Sequence, residues 1–287
     1  MKDLVCVAIP VYKSFDKLDA EEIISWQQAL FVLEKYSFQL FCPDGLNVSG
    51  YIDDFGRKNI EYEIQYFKSL YFANIEGYNK LMLSRTFYQR FSKYEYLLLY
   101  QLDAFVFRDE LSHWCAQGYS YVGAPWFEGY HPTPKHTKLW QVGNGGFTLR
   151  RIPDALRALH TLALAQDWAT VVREHFRAGR LQGYMQLPTL LKALLLGNNT
   201  HWAFNDFERH RQWHQEDYFW GVICNSRFPW FRVPTPEQAL AFGFEVQPAL
   251  MYELNHRQLP MGCHAWEKYG LDFWRPLIEQ YGYSLPH

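Results

Sequence analysis

The sequence predicts an α/β protein in which helices cover both faces of a mostly parallel sheet. Segments with the apolar pattern of strands alternate with segments of helical periodicity through the first part of the chain, which favours this class. The first apolar run, at 4–12, is nearly continuous, as is typical of a parallel strand buried on both faces. Hydrophobic residues make up 48% of the 287 residues and charged residues 20%, so a packed core is expected.

The expected elements follow one another in strand–helix order. Asp19 and Glu22 have the spacing of a capping box, which sets the start of the first helix. Pro43, Asp44 and Gly45 form a turn signal that ends the second strand. The expected strands cover 4–12, 38–42, 60–66, 94–107 and 119–123, and the expected helices between them cover 19–36 and 76–92.

The later part of the chain has a different pattern. Segments 153–179 and 188–197 are helical by period, each with Pro near its start and Gly at its end. We interpret the region 152–200 as a helical insertion in a single domain that spans 1–287. The last expected helix covers 271–282.

Composition excludes several classes of function. The net charge is −2 and there is no basic tract, so no nucleic acid partner is expected. The five cysteines are widely spaced without a CxxC pair, which disfavours a disulfide framework and a zinc ribbon. No apolar run approaches the ~20 residues that span a bilayer. We therefore expect a cytoplasmic protein without a transmembrane segment, and peripheral contact with a membrane stays open.

Several catalytic motifs are absent from the sequence. GxSxG, a Walker A loop and GxGxxG do not occur, so a serine hydrolase, a P-loop enzyme and a classical dinucleotide-binding dehydrogenase have no support. His210 and His214 are four residues apart. However, Arg211 follows the first of them where a zinc protease of the HExxH type has glutamate.

A carboxylate lies inside a predicted buried strand. Asp103 is part of 94-YEYLLLYQLDAFVF-107, and an isolated buried charge is costly unless it is paired, hydrogen-bonded or bound to metal. In open α/β sheets, ligands bind beyond the carboxyl ends of the strands. Asp103 and residues 10–13 both fall near such ends, so they are candidates for one ligand site.

Five short motifs occur in a characteristic order. They are 101-QLDAFVF-107, 123-GAPW-126, 143-GNGGFTLR-150, 216-EDYFW-220 and 262-GCHAW-266. As a set they resemble the uncharacterised glycosyltransferase-like family that carries QTDxxVF, GAPW, GNGGFSLR, EDxFW and GCHAW segments. The match covers roughly residues 4–268. The resemblance implies the GT-A fold, a nucleotide-diphosphate sugar donor and a carbohydrate or glycoconjugate acceptor.

The resemblance also implies a metal ion. In GT-A enzymes a strand ends in an Asp-x-Asp motif whose last Asp reaches a divalent cation, so Asp103 is the expected ligand of Mn²⁺ or Mg²⁺. His264 is the expected further ligand, and imidazole favours Mn²⁺. Gln101 stands where the Asp-x-Asp motif of GT-A enzymes has its first Asp, either as a neutral ligand or as a contact to ribose. The alternatives are a paired structural carboxylate at 103 and a hydrogen-bonded structural histidine at 264.

The adjacent carboxylates Glu216 and Asp217 are candidates for a catalytic base. An inverting transfer needs one carboxylate to deprotonate the acceptor hydroxyl, and inverting GT-A enzymes often place it in a Glu-Asp pair at a helix start. We expect Asp217 as the base and Glu216 as second candidate, at the start of a helix over 217–224. The helix dipole should keep a carboxylate ionised, while like-charge repulsion should raise one pKa. The alternative is a helix cap.

The remaining candidates are assigned to donor binding. The glycines after Asn144 either let the backbone approach a sugar or form a tight turn before the next strand. Residues near the end of the first strand should face the nucleobase and ribose, and two helix residues should approach the same pocket, although Lys80 also fits a solvated position. These donor-site candidates are Pro10, Tyr12, Lys13, Asn79, Lys80, Asn144, Gly145 and Gly146.

The expected activity is metal-dependent, inverting glycosyl transfer in polysaccharide or glycoconjugate synthesis. Two alternatives remain. One is a non-catalytic protein that binds a carbohydrate or nucleotide sugar on a degenerate GT-A fold, which Gln101 favours and the carboxylates oppose. The other is a sugar nucleotidyltransferase, which shares the fold class and differs in its products.

Overall fold

The described strands form one large sheet and two small ones. The computed structural model describes residues 3–129, 137–160 and 215–285, and of the rest only the single helical positions 173, 188, 191 and 195. Within the described residues the strands are β1 (Asp3–Pro10), β2 (Ser37–Pro43), β3 (Tyr62–Phe67), β4 (Tyr94–Tyr100), β5 (Phe105–Val106), β6 (Tyr121–Val122), β7 (Pro125–Phe127), β8 (Leu139–Val142), β9 (Phe147–Arg151), β10 (Gly243–Phe244) and β11 (Gly262–Cys263).

The large sheet has the order β3-β2-β1-β4-β9-β6. Strands β3, β2, β1 and β4 are parallel, and β9 is antiparallel to both of its neighbours. The prediction of a mixed, mostly parallel sheet is therefore confirmed. In the first small sheet, β11 pairs with β10 in parallel and with β5 antiparallel, and β7 and β8 form an antiparallel pair.

Helices connect and cover these strands. The described helices are α1 (Ala20–Val32), α2 (Ser49–Lys58), α3 (Ile75–Met82), α4 (Arg85–Arg90), α5 (Leu111–Ala116), α6 (Ile152–His160), α7 (Glu216–Tyr218, continued by the π-helical turn Phe219–Cys224 and by Asn225–Arg227), α8 (Pro236–Ala239), α9 (Pro248–Leu254) and α10 (Leu271–Glu279). Most of the predicted insertion at 152–200 lies outside the described residues, and α6 is its described beginning.

Both faces of the large sheet are covered, which explains the continuous apolar run of β1. Val5, Val7 and Ile9 belong to one hydrophobic core, and Cys6 and Ala8 belong to the core on the other face. Helices α1, α2 and α5 pack in the first core, and α3, α4, α6 and α7 pack in the second. All five cysteines are buried and unpaired.

Local signals account for the helix boundaries, with two corrections. The Asp19–Glu22 capping box forms, since each side chain accepts a hydrogen bond from the other residue's backbone N–H. The helix predicted over 76–92 is two helices, because Oγ of Ser84 accepts from the N–H of Phe87 at 3.2 Å and caps a new helix. Helix α2 is absent from the prediction because it lacks a side-chain cap and contains two glycines.

The predicted strand at 94–107 is also two strands. β4 ends at Tyr100, and the chain turns before β5 begins at Phe105. Leu102 and Ala104 are buried within that turn, so the sequence keeps a continuous apolar pattern across it. Asp103 therefore lies in a turn beyond the strand and not inside the strand. Among the described residues, no helix is long and apolar enough to span a membrane.

Candidate functional site

The candidate site lies at a switch point of the large sheet. β1 has β2 on one side and β4 on the other, so the chain leaves the end of β1 toward one side and the end of β4 toward the opposite side. A crevice forms beyond the carboxyl ends of two such strands, and ligands bind there in open α/β sheets. A cavity of about 410 Å³ occupies this crevice.

Both polar and aromatic residues line the cavity. Gln101 and Asp103 follow β4, and Pro10 ends β1. Tyr12 lines the cavity with a largely exposed ring, and Tyr78 lines it from α3. The cavity thus brings together the predicted residues Pro10, Tyr12, Gln101 and Asp103, from two distant parts of the sequence, and adds Tyr78, which was not predicted as a site residue.

The cavity is acidic. Its lining includes the carboxylates of Asp19, Glu22, Asp103 and Glu267, and Lys13 is the only basic residue among the described lining residues. Lys13 is ion-paired with both Glu22 and Asp19. Burial, together with the surrounding carboxylates, raises the pKa of Glu267. A polyanionic ligand would therefore meet repulsion here unless a cation entered with it.

Two hydrogen bonds hold the turn that follows β4. The N–H of Gln101 donates to the carbonyl of Gly146 at 2.7 Å, and the N–H of Ala104 donates to the carbonyl of Gln101 at 2.9 Å. The amide Nε2 of Gln101 donates to the Tyr78 hydroxyl at 2.9 Å. That bond orients the amide so that its oxygen, Oε1, points away from Tyr78.

Gln101, Asp103 and His264 converge at this turn. Nε2 of His264 lies 3.2 Å from Oδ1 of Asp103 and 3.3 Å from Oε1 of Gln101. Oδ1 of Asp103 is buried, and apart from the ion pair with His264 no described group donates a hydrogen bond to it. Two oxygens and one imidazole nitrogen that face each other fit a divalent cation, which would bind such atoms at roughly 2.0–2.6 Å. The described residues contain no metal-binding group of three or more His, Cys, Asp and Glu, so the amide of Gln101 is needed to complete the set.

Opposite charges stabilise each other in this cluster. Burial alone would raise the pKa of Asp103, but the neighbouring His264 lowers the pKa below its usual value. Burial alone would lower the pKa of His264, but Asp103 and Glu245 raise it well above its usual value. Glu245 contributes through Oε1, which lies 3.0 Å from Nδ1 of His264. Sequence reasoning missed Glu245 because it belongs to none of the motifs.

Glu216 is part of a buried ion pair. Nη2 of Arg150 donates to Oε1 of Glu216 at 2.8 Å, and both side chains are only 2% exposed. Arg150 also donates to the hydroxyls of Tyr88 and Thr148, at 3.1 and 3.0 Å. Arg150 is the last residue of the GNGGFTLR motif, and the motif alone did not predict a role for it. The pair gives Glu216 a structural partner that a free catalytic base would not have.

Asp217 is buried beside other carboxylates. Burial, followed by the charges of Glu216 and Glu245, raises the pKa of Asp217 to about 8. This direction agrees with the expected like-charge repulsion and runs against the expectation that the helix dipole keeps the carboxylate ionised, because burial is the largest cause of the shift. Oδ1 of Asp217 accepts from the N–H of Tyr218 at 2.8 Å, and the side chain is not among the residues that line the described cavity.

The glycines of the GNGG segment accommodate protein side chains. A Cβ on Gly146 would lie 1.9 Å from Nε2 of His264, and one on Gly145 would lie 2.7 Å from Oε1 of Glu216. Asn144 has a positive φ of 76°, and its Oδ1 accepts from the N–H of Gly146 at 2.8 Å. The segment is thus a tight turn that packs against His264 and Glu216, and the approach of its backbone to a sugar stays a prediction.

The donor-site candidates divide into two groups. Pro10, Tyr12, Lys13, Gln101 and Asp103 line the cavity. The others are not among the described lining residues. Asn79 accepts from the N–H of Glu216 at 3.4 Å, and Lys80 is exposed on α3. Gly145 packs against Glu216, Gly146 packs against His264, and Asn144 accepts from the N–H of Gly146.

Solved structures with a similar fold are GT-A glycosyltransferases. The galactosyltransferase LgtC, solved with donor and acceptor sugar analogs, matches with a TM-score of 0.51 and 10% identity, over 98% of this chain and 97% of that chain. The glycosyltransferase GlyE of Streptococcus pneumoniae TIGR4 matches with a TM-score of 0.50 and 9% identity, over 99% of this chain and 61% of that chain. The chain therefore has the GT-A fold that the sequence predicts.

The sequence itself places the chain in a family. No curated protein matches it significantly. The family described as "Protein of unknown function (DUF5672)" matches residues 61–264, a range that runs from β3 to His264 and includes Gln101, Asp103 and the Glu216–Asp217 pair. This chain belongs to that family.

Proposed function

We propose that this protein is a glycosyltransferase that binds a nucleotide-diphosphate sugar together with a divalent cation and transfers the sugar to a hydroxyl of a carbohydrate or glycoconjugate. The observation that carries the proposal is that Gln101 and Asp103 line the cavity at the sheet's switch point and that Nε2 of His264 faces an oxygen of each. The GT-A fold is compatible with this function, but the proposal depends on the residues of the site, because one fold can carry many functions.

The proposed cation is Mn²⁺ or Mg²⁺. Oxygen ligands suit both ions, and the imidazole of His264 favours Mn²⁺. When bound, the ion neutralises charge on the diphosphate as it leaves. The acidity of the cavity supports this requirement, because Asp19, Glu22 and Glu267 would otherwise repel a diphosphate.

The nucleoside is proposed to lie against the residues that follow β1. The ring of Tyr12 lines the cavity and is exposed enough to stack on a base. Lys13 is fixed by its ion pairs, and its carbonyl accepts from the Tyr51 hydroxyl at 3.0 Å, which holds this loop in place. Pro10 and Gln101 complete the proposed binding surface.

Asp217 is proposed as the base of an inverting transfer. The acceptor oxygen bonds to the anomeric carbon, the bond from that carbon to the diphosphate oxygen breaks, and the hydroxyl proton passes to the Asp217 carboxylate. The Arg150 ion pair makes Glu216 the weaker candidate. Asp217 lies beside Gly145, so we place the acceptor on that side of the site.

The proposal is tested by thermal unfolding with a panel of nucleoside diphosphates and sugar nucleotides, each with and without Mn²⁺. A ligand at ~100 times its dissociation constant should add roughly 2.7 kcal/mol of stability. We expect this stabilisation only when the nucleotide and Mn²⁺ are both present. Equal stabilisation without a divalent cation, or none by any nucleotide, would overturn the proposal.

A second candidate is a non-catalytic protein that binds nucleotide sugars. The burial of Asp217 and the presence of Gln101 where the Asp-x-Asp motif of GT-A enzymes has its first Asp favour it. Product analysis separates the candidates once a binding nucleotide sugar is known. A glycosyltransferase forms a glycoside and a nucleoside diphosphate, a binding protein forms neither, and a nucleotidyltransferase forms a sugar nucleotide and pyrophosphate.

A further inference from the structure

Glu245 contacts His264 at Nδ1, the ring nitrogen that faces away from the proposed cation. It directly follows β10, and His264 directly follows β11. The two strands are parallel with Phe244 opposite Cys263, so Glu245 and His264 leave the same edge side by side. The N–H of His264 also donates to the carbonyl of Phe244 at 3.0 Å. Glu245 therefore belongs to the framework that carries His264.

The imidazole of His264 is held on three sides. Oε1 of Glu245 lies 3.0 Å from Nδ1, and the backbone of Gly146 lies so close to Nε2 that a Cβ there would be 1.9 Å away. Oxygens of Gln101 and Asp103 face Nε2. When the ring is neutral and Nδ1–H donates to Glu245, the lone pair of Nε2 points toward those two oxygens, where a cation would take the place of the Nε2 proton.

We propose that Glu245 is a positioning residue that directs Nε2 of His264 at the divalent cation by accepting a hydrogen bond from Nδ1. A metal-binding histidine usually donates its second ring N–H to a carboxylate or carbonyl, and loss of that partner costs about 10–100-fold in metal affinity. This inference rests on the proposed function, because it presupposes the cation. Glu245 lies outside the sequence motifs, and its Oε1 is the atom that would accept the hydrogen bond from Nδ1.

Two substitutions separate positioning from simple charge attraction. Glu245→Gln keeps the reach of the side chain and an oxygen that can accept from Nδ1–H, but removes the negative charge. Glu245→Asp keeps the charge and shortens the side chain by one methylene, which withdraws the acceptor from Nδ1. Positioning predicts a larger loss of Mn²⁺ affinity in Glu245→Asp than in Glu245→Gln, and charge attraction predicts the reverse order.

The experiment measures the dissociation constant of Mn²⁺, added alone as MnCl₂, from the electron paramagnetic resonance signal of the free ion. We expect about a tenfold or greater increase for Glu245→Asp and a smaller one for Glu245→Gln. Glu253→Gln, which removes an exposed carboxylate paired with Arg257, is the matched control and should leave affinity unchanged. Circular dichroism checks that each variant is folded.

A double-mutant cycle completes the test. If Glu245 acts through the imidazole, Glu245→Asp should cause no further loss in a His264→Ala background. A loss that persists in that background, or a greater loss in Glu245→Gln than in Glu245→Asp, would overturn the positioning role. If the wild type takes up no Mn²⁺, or if Asp103→Asn leaves uptake unchanged, the proposed metal dependence fails instead.

Discussion

At the scale of single residues, the most informative position is Asp103. Its side chain is partly exposed toward the cavity, while its Oδ1 is buried and faces His264, and no other described group donates a hydrogen bond to it. Its ion-pair contact is with Nε2 of His264, so a cation that enters here would interact with both groups. Its position in a turn, beyond the end of β4, lets the carboxylate reach the cavity although the flanking residues are buried.

Asp103→Asn tests this residue directly. The amide keeps the shape of the side chain and removes the charge that a cation would need. We expect the variant to unfold like the wild type and to lose Mn²⁺-dependent binding of nucleotide, as measured by calorimetry with and without Mn²⁺. Metal-dependent binding that survives the substitution would contradict the role of Asp103.

Asp217 gives a prediction for activity. If it accepts the proton of the acceptor hydroxyl, Asp217→Asn should lower turnover ~10²–10⁴-fold, because general base catalysis contributes on this scale. Nucleotide affinity should barely change, because Asp217 does not line the described cavity. The contrast with Asp103→Asn, which should lose binding first, is the internal control. Unchanged turnover, or a product that keeps the donor's anomeric configuration, would rule out the inverting mechanism.

The same residue predicts how stability depends on pH. The pKa of Asp217 is raised to about 8 in the folded state by burial and by Glu216 and Glu245, whereas an unfolded chain has an Asp pKa of about 3.9. The neutral carboxyl is therefore favoured by folding. This stabilisation is fully present below pH ~4 and is lost as the pH rises through about 8, by an amount on the order of 5 kcal/mol.

Asp217→Asn should remove this pH dependence, because the amide does not ionise. Chemical denaturation at a series of pH values between 4 and 9 would measure the difference in unfolding free energy between the wild type and the variant. We expect the variant to gain relative to the wild type as the pH rises. A constant difference across this range would mean that Asp217 ionises normally in the folded protein.

The Arg150–Glu216 pair gives a prediction about stability alone. Removal of one partner from a buried ion pair leaves an uncompensated charge and typically costs about 3–5 kcal/mol. We expect Glu216→Gln and Arg150→Met to lower the denaturation midpoint strongly, and the double variant Arg150→Met/Glu216→Gln to recover part of the loss. Additive losses in the double variant would show that the two charges do not compensate each other. Because of this cost, Glu216→Gln is a poor activity control for Asp217→Asn.

At the scale of structural elements, glycines define how the GNGG segment packs. Gly146 lies between β8 and β9 and touches His264, so a methyl group there must displace the imidazole. Gly56 lies within α2, where a Cβ would meet nothing within 4 Å. A side chain is therefore sterically excluded at Gly146 and sterically allowed at Gly56.

These glycines form a matched pair of substitutions. Gly56→Ala should stabilise the protein by roughly 0.5–1 kcal/mol, because alanine has the higher helix propensity and the space is open. Gly146→Ala should destabilise it and weaken Mn²⁺ uptake through the displaced His264. Thermal unfolding and the Mn²⁺ resonance signal measure the two effects. If Gly146→Ala matched the wild type in both measurements, the contact with His264 would not constrain the site.

At the scale of the whole molecule, the fold decides where the chemistry is placed. The order β3-β2-β1-β4 puts the ends of β1 and β4 side by side, and the small sheet β10-β11-β5 brings His264 to the same place. β5 follows Asp103 closely and pairs with β11 just before His264, with Phe105 opposite Cys263. This one pairing links two motifs that are far apart in the sequence.

The sequence by itself determined the class of the fold and the residues from which a site is built. Continuous apolar runs, helical periods and the Asp19 capping box are local properties, so the parallel sheet, α1 and the approximate strand limits could be predicted. Gln101, Asp103 and His264 could be selected because their motifs match a family pattern. The turn at 101–104 could not be predicted, because Leu102 and Ala104 are as apolar as the strands that flank them.

Only the tertiary structure decided how these residues are paired. His264 meets Gln101 across 163 residues, and Arg150 meets Glu216 across 66. Glu245 supports His264 through the register of two short strands that no local pattern marks. Burial, which raises the pKa of Asp217, is likewise a property of the assembled core. Periodicity and composition act over neighbouring residues, whereas hydrogen-bond partners and desolvation are set by contacts that exist only after the chain has folded.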